Sequence, residues 1–196
     1  MGASDEELVS AFQAGDISAF DDLSRPWNGK IQGAIYRILG SEEDARDLAQ
    51  DAFLKAFRSL RSFKGECRFS SWLYQIALNL CRDRMRRRRG RTLVSLDDAA
   101  AEGHATEPPG PSALELVEAN ERARRVAAAV AALPEEQREV IVLKEYQGLT
   151  FLEIAQLLEL PTSTVKTRLY RGLAQLREHL EGDSLRAAPS VAVSPS

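Results

Sequence analysis

One stretch governs what this chain can fold into. From Thr92 to about Ser112 the composition turns to Asp, Ala, Gly and Pro, including GHATEPPGPS, with no apolar periodicity and several helix breakers. A segment of this kind contributes nothing to a packed core. It divides the 196 residues into an N-terminal part of about 90 and a C-terminal part of about 70, each the size of one small domain. No stretch alternates β-branched and polar residues between turn signals, so both parts read as helical. The expected fold is all-α, with two small helical domains at residues 1–91 and 113–181 joined by a flexible acidic, Pro-rich linker at 92–112. The last residues, 182–196, read as a disordered tail.

Within the first domain the apolar spacing predicts helices near Asp5 to Ala14, Ile17 to Leu39, Glu42 to Ser62 and Ser70 to Arg88, punctuated by Gly15, Gly40 and Gly65. The second domain carries predicted helices near Leu114 to Ala132, Glu135 to Tyr146, Phe151 to Leu158 and Ser163 to Leu180, with breaks at Pro134, Gly148 and Pro161. The longest apolar run, Val126 to Leu133, is eight residues and ends at Pro134, far short of the roughly 20 that a membrane span needs. The N-terminus, MGASDEEL, has acids where an export signal would have lysines, so a cytoplasmic location is expected. Cys67 and Cys81 are too few for a disulfide scaffold and lack the pairing of a zinc site; they read as reduced thiols, with no metal and no cofactor expected.

A net charge of -3 conceals strong segregation. Residues 1–54 hold 11 acids and 4 bases, whereas residues 55–91 hold 12 bases and 2 acids. Residues 92–121 then hold 7 acids and no base. A basic block inside an acidic protein is a local electrostatic footprint, and nucleic acid is its commonest partner. Its densest part, RDRMRRRRGR from Arg82 to Arg91, has seven arginines. Cations also suit a helix C-terminus, but arginines this dense repel one another and are expected to do little for folding.

Three constellations carry chemistry. Thr150 and Glu153 form a capping box opening a short helix with Ile154, Ala155 and Leu158 as its apolar stripe. After Pro161 a second helix starts, with Thr162 or Ser163 expected as its N-cap and Val165, Leu169, Gly172, Leu173, Leu176 and Leu180 on its buried side. At about 100° per residue, Ser163, Thr164, Thr167, Tyr170 and Arg171 then face outward, flanked by Lys166 and Arg168. Small hydroxyls and arginine on an exposed helix suit the major groove and the flanking cations suit phosphates; an ordinary helical hairpin with a polar face has the same pattern.

On the helix from Glu42, Ala45, Leu48, Ala49, Ala52, Phe53 and Ala56 make a buried stripe while Asp44, Asp47 and Asp51 share one face. Like charges so placed repel by roughly 0.2–0.5 kcal/mol per pair, which favours a cationic partner; a solvated face or a metal site shares the spacing. Between this helix and the next lies SFKGECRFSSW, where Phe63, Phe69 and Trp72 alternate with Lys64 and Arg68. Rings that stack on unpaired bases and cations that hold the backbone make a single-strand surface, although rings also serve as core. Asn79, two turns beyond Trp72, has an amide able to pair with a base edge. A single-strand surface in one domain and a major-groove helix in the other describe a protein that holds two separated DNA elements, one of them melted.

Three segments, DARDLAQDAFLKAFRSL, FKGECRFSSWLYQIALNLCRDRMRRRR and LPEEQREVIVLKEYQGLTFLEIAQLLELPTSTVKTRLYRGLAQLRE, together resemble a bacterial extracytoplasmic-function (ECF, group IV) sigma factor over roughly residues 5–181. The resemblance implies a sigma region 2 domain followed directly by a region 4 domain, and a non-enzymatic role in transcription initiation. By that likeness Asp47, Leu48, Gln50 and Asp51 fall where the family docks the β′ coiled coil of RNA polymerase core, and region 4 meets the β flap. Phe63, Lys64, Gly65, Arg68, Phe69, Ser70, Ser71, Trp72, Asn79, Arg82 and Arg86 are expected at the minus-ten element. Ser163, Thr164, Lys166, Thr167, Arg168, Tyr170 and Arg171 are expected at the minus-thirty-five element. Ser163 stands where the family usually has Gly, and Lys166 where it often has Arg. Relatives are commonly held by an anti-sigma factor, which is therefore an expected partner and a possible tether to the membrane. Two further function classes fit parts of the chain: an autonomous helix-turn-helix regulator, and a metal-dependent nuclease using Asp44, Asp47 and Asp51.

Overall fold

Helices begin where a side chain can satisfy the first free backbone N–H groups. The computed structural model describes the backbone of residues 3–92 and 113–187 and the side chains of residues 3–89 and 123–181. Helix α1 (Asp5–Gln13) opens on a reciprocal capping box between Ser4 and Glu7. Helix α2 (Ala19–Leu39) closes on Gly40, whose left-handed φ of 71° returns its N–H to the Tyr36 carbonyl. Ser41 then accepts from the Asp44 N–H to start α3 (Glu42–Ser59), which ends in a 3-10 turn at Leu60–Ser62. Helix α4 (Phe69–Thr92) carries the basic block.

The second unit contains α5 (Ala113–Ala132), α6 (Glu135–Ile141), α7 (Phe151–Leu158) and α8 (Thr162–Ala187). Every predicted helix is present, with two differences of substance. The segment expected as one regular helix to Tyr146 widens to a π-helix over Val142–Tyr146, where the Gln147 N–H reaches the Val142 carbonyl. Four consecutive residues there, Val140 to Leu143, are at most 1% exposed, because this segment is covered by α8 on one side and by α2 on the other. The other difference is at the C-terminus: α8 runs on to Ala187, beyond Gly182, where composition placed a disordered tail. The linker at 93–112 and residues 188–196 lie outside the described residues.

In the first unit α1, α3 and α4 all pack on α2; in the second, α5, α6 and α7 pack on α8. The halves are also docked on each other, with α2 touching α5, α6 and the π-helical turn while α4 touches α7. One contiguous buried cluster therefore extends from Val9 in α1 to Leu169 in α8.

Candidate nucleic-acid interface

Packing splits the acidic face of α3 in two. Asp47, Gln50 and Asp51 are exposed, and Leu48 lies beneath them at 4% exposure. Leu54, seven residues after Asp47 and hence on the same side, is 47% exposed; a large apolar group at the centre of this face was not among the residues expected there. Asp44 corrects the three-carboxylate reading. It is buried, and its two oxygens are taken by Arg84 and Arg88 of α4. A carboxylate chelated by two guanidiniums neither joins an exposed stripe nor offers an oxygen to a metal. The same clamp shows that arginines of the basic block do contribute to the fold.

The aromatic loop is a supported hollow. Gln13 donates its amide to the Leu60 carbonyl at 3.0 Å and to the Phe63 carbonyl at 2.8 Å, and Gly65 turns the chain at φ 71°. Phe63 lies on Trp72 with ring centroids 4.8 Å apart, and Phe69 backs Trp72 at 6.0 Å. Phe69 and Ser71 are buried, Phe69 lining the hollow, whereas Phe63, Ser70 and Trp72 are half-buried and Lys64, Arg68 and Asn79 are exposed. The resulting cavity, ≈ 400 Å³, lies between this loop and α1 and is lined by Val9, Gln13, Phe63, Gly65, Arg68 and Phe69 among others. Cys67 stands at its mouth with its thiol shifted upward by burial and by the Glu66 carboxylate. Cys81 is wholly buried, which pushes its thiol up to about 12.

Much of the arginine charge is met inside the molecule. Arg82 donates Nε to Glu139 Oε1 at 2.9 Å and Nη2 to Oε2 at 2.8 Å, and these bonds hold the guanidinium protonated above its ordinary range. Arg86 pairs with Asp83 one turn away, Arg89 with Glu135 at 2.5 Å, and Arg68 with Glu153 at 3.2 Å. Charge counting locates these arginines but not the carboxylates opposite them.

In the second unit Thr150 and Glu153 close the expected capping box, and the Thr150 N–H and hydroxyl bonds to Glu153 hold its carboxyl below the usual range. Helix α7 ends at Glu159 in the left-handed conformation, φ 55°, which aims the chain into α8. The first turn of α8 is closed by the Pro161 carbonyl, which accepts from Thr164 and Val165; Thr162 thus lies inside the helix rather than capping it. Val165 and Leu169 are buried and Leu176 and Leu180 half-buried, but Leu173 is 38% exposed, a departure from the predicted stripe. Ser163, Lys166, Thr167, Tyr170 and Arg171 face solvent, with Tyr170 at 63% exposure. Thr164 and Arg168 are half-buried beside a ≈ 320 Å³ groove against α6, where Arg168 pairs with Glu136 at 2.7 Å. Lys166 lies 5.5 Å from the Phe151 ring.

Fold and surfaces thus define an all-helical, two-unit protein with a ring-lined basic loop on one unit and a helix-turn-helix on the other. Residues 25–91 match the Sigma-70 region 2 family and residues 123–176 match Sigma-70 region 4. The RNA polymerase sigma-H factor of Pseudomonas aeruginosa is 35% identical, with 90% of this chain and 94% of that protein covered. The ECF RNA polymerase sigma factor SigW of Bacillus subtilis is 35% identical, covering 89% and 96%, and the ECF sigma-E factor of Escherichia coli is 36% identical, covering 85% and 89%. Among solved structures, CnrH in complex with the cytosolic domain of CnrY superposes with a TM-score of 0.70 at 28% identity, covering 92% of this chain and 99% of CnrH. RpoE in complex with the anti-sigma factor NepR from Bartonella quintana gives 0.67 at 25% identity, covering 83% and 96%. The chain belongs to the ECF sigma factors of bacterial RNA polymerase. Its relatives are transcription initiation factors, and no catalytic family is indicated.

Proposed function

We propose that this protein binds RNA polymerase core and directs it to two-element promoters, itself catalysing nothing. The observation that carries this reading is the exposed Asp47–Gln50–Asp51 face on α3, a helix that carries none of the residues assigned to either DNA element. Carboxylates around the apolar Leu54 suit a basic helical partner such as the β′ coiled coil, with Leu48 supporting the face from beneath. The hollow between α1 and the aromatic loop suits a base extracted from the minus-ten element, stacked against Phe63, which packs on Trp72, with Lys64 and Arg68 toward the backbone. Asn79, Arg82 and Arg86 extend that surface along α4, while Gly65, Phe69, Ser70 and Ser71 shape its loop.

In region 4, α8 enters the major groove at the minus-thirty-five element through Ser163, Thr164, Thr167, Tyr170 and Arg171, with Lys166 and Arg168 toward phosphates. Contact of this unit with the β flap completes the polymerase interface. The protein works in the cytoplasm, and among the described residues no helix is long and apolar enough to cross a membrane. CnrH and RpoE are solved with CnrY and NepR, which supports an anti-sigma factor as the inhibitory partner, one that tethers the protein to the membrane where it is itself anchored.

The test mixes purified chain with sigma-free polymerase core and a promoter library and sequences the transcripts. Defined start sites with the wild type, and their loss together with core binding in Asp47→Arg/Asp51→Arg, are the expected results. A normal core complex with that double variant refutes the assignment of α3.

A further inference from the structure

Polar contacts among the described residues tie the two halves of the chain together, and they include pairs of region 2 arginines with region 4 carboxylates. Arg82 is bidentate to Glu139, Arg89 reaches Glu135 at 2.5 Å and Arg68 reaches Glu153 at 3.2 Å. Beside them the Tyr74 hydroxyl donates to Gln147 Oε1 at 2.5 Å, Arg138 Nη1 donates to the Ile38 carbonyl at 2.6 Å, and the Arg37 guanidinium lies 4.2 Å from the Tyr146 ring centroid. The ion pairs differ in weight. Arg68 and Arg89 are 75% and 76% exposed, so water screens their pairs, but Glu139 is 4% exposed and its bonds to Arg82 are shielded.

Arg68 and Arg82 are also residues proposed to meet the minus-ten element, and a carboxylate in the fork of a guanidinium occupies the donors that a phosphate needs. Dimensions point the same way. The two promoter elements are about 25 base pairs apart, about 85 Å of duplex at ~3.4 Å per pair. A docked body of this size has a radius of gyration of about 15 Å and spans roughly 40 Å, so it cannot touch both elements. The chain between Thr92 and Ala113 reaches at most about 70 Å when extended, enough to let the halves part.

We propose that region 4 serves as an intramolecular mimic of the DNA backbone: Glu139, assisted by Glu135 and Glu153, occupies the arginines of region 2 and holds the free chain closed until nucleic-acid phosphates displace it. The proposal rests on the sigma-factor reading for the identity of the competing ligand, but the closed state belongs to the free chain and is measured without polymerase.

The experiment uses the full chain with Cys67→Ser, spin-labelled at Asp21→Cys and Ala174→Cys, both exposed positions, while buried Cys81 stays unlabelled. Pulsed electron resonance is expected to give one short distance for this background. Glu139→Gln, which keeps the shape and removes the charge, shifts the closed-to-open ratio by about tenfold toward long distances, the equivalent of one charge-assisted hydrogen bond. Gln147→Ala shifts it in the same direction without changing charge, and random-sequence single-stranded DNA opens the wild-type latch. Asp83→Asn is the control, since it removes an equal charge whose partner Arg86 is on the same helix. It leaves the distance unchanged and raises DNA affinity less than Glu139→Gln does.

Unchanged distances in both latch variants, or equal gains in affinity for Asp83→Asn and Glu139→Gln, overturn the proposal. Should Glu139→Gln fail to fold, as a thermal melt reveals, Gln147→Ala and the wild-type DNA titration decide. Failure of the sigma-factor reading shows separately, as absence of promoter-directed transcription by wild type with polymerase core.

Discussion

Replacing Gly172 with alanine puts a methyl group where α8 crosses α6. A β-carbon built on that backbone lies 2.6 Å from Ile141 Cδ1, 3.3 Å from Gln137 Cβ and 3.4 Å from Ile141 Cγ1, whereas carbon atoms in contact prefer about 3.5–4.0 Å. Ile141 is 1% exposed, so its terminal methyl cannot swing aside into solvent. Overpacking of this kind costs about 1–3 kcal/mol. Alanine in place of glycine inside a helix returns about 1 kcal/mol, so the expected net effect is a loss of up to about 2 kcal/mol where propensity alone gives a gain. Ile141→Val deletes the offending Cδ1 and by itself costs about 0.5–1.5 kcal/mol. In the double variant the 2.6 Å contact has no atom to make it, and the two changes should couple favourably by about 1 kcal/mol or more. Thermal unfolding followed by circular dichroism reads this out, at roughly 2–4 °C of Tm per kcal/mol for a chain of this size. A Gly172→Ala protein more stable than wild type, or strict additivity in the double variant, refutes the argument that close approach of α6 to α8 sets the position of α8.

The two thiols should separate cleanly: at pH 8 a thiol reagent modifies exposed Cys67 in the native protein, more slowly than a free cysteine because its thiol is held protonated, and reaches Cys81 only on unfolding. Rapid native labelling of both would refute the burial of Cys81. Glu153 has a folded-state pKa below its ordinary value of 4.5, so the stability it supplies is complete above that pH and is lost as pH falls through the lowered value. Urea unfolding of wild type and Glu153→Gln should differ most near pH 7 and converge below about pH 4.5; a gap that does not change with pH contradicts the role assigned to the capping carboxylate. Arg171→Ala should lose discrimination at one minus-thirty-five base pair by roughly 1–3 kcal/mol in competition binding, and an equal loss on every sequence would make Arg171 a phosphate contact instead.

Helix positions were readable because their determinants are local. Thr150 and Glu153 are three residues apart, Gly40 and Gly148 need only their own φ, and apolar spacing reports on one helix at a time. The outward face of α8 followed from the same arithmetic at Ser163, Thr167, Tyr170 and Arg171, whereas Thr164 is half-buried and Leu173, expected on the buried side, is 38% exposed. The π-helical turn escaped because it packs on α2 and on α7, elements distant in sequence whose contacts override the regular repeat.

What composition and periodicity could establish was the helical class, the presence of two helical domains and the position of the basic block. What they could not reach was which charges face one another. Asp44 stands 40 residues from Arg84, and Arg82 stands 57 residues from Glu139, separations with no short-range signature. Whether a carboxylate joins an exposed ridge or becomes a buried clamp, and whether an arginine faces solvent or a glutamate of the other half, depends on how the helices are laid against each other. Coulomb energy depends on distance and solvent exposure in space, and neither quantity is a function of position along the chain.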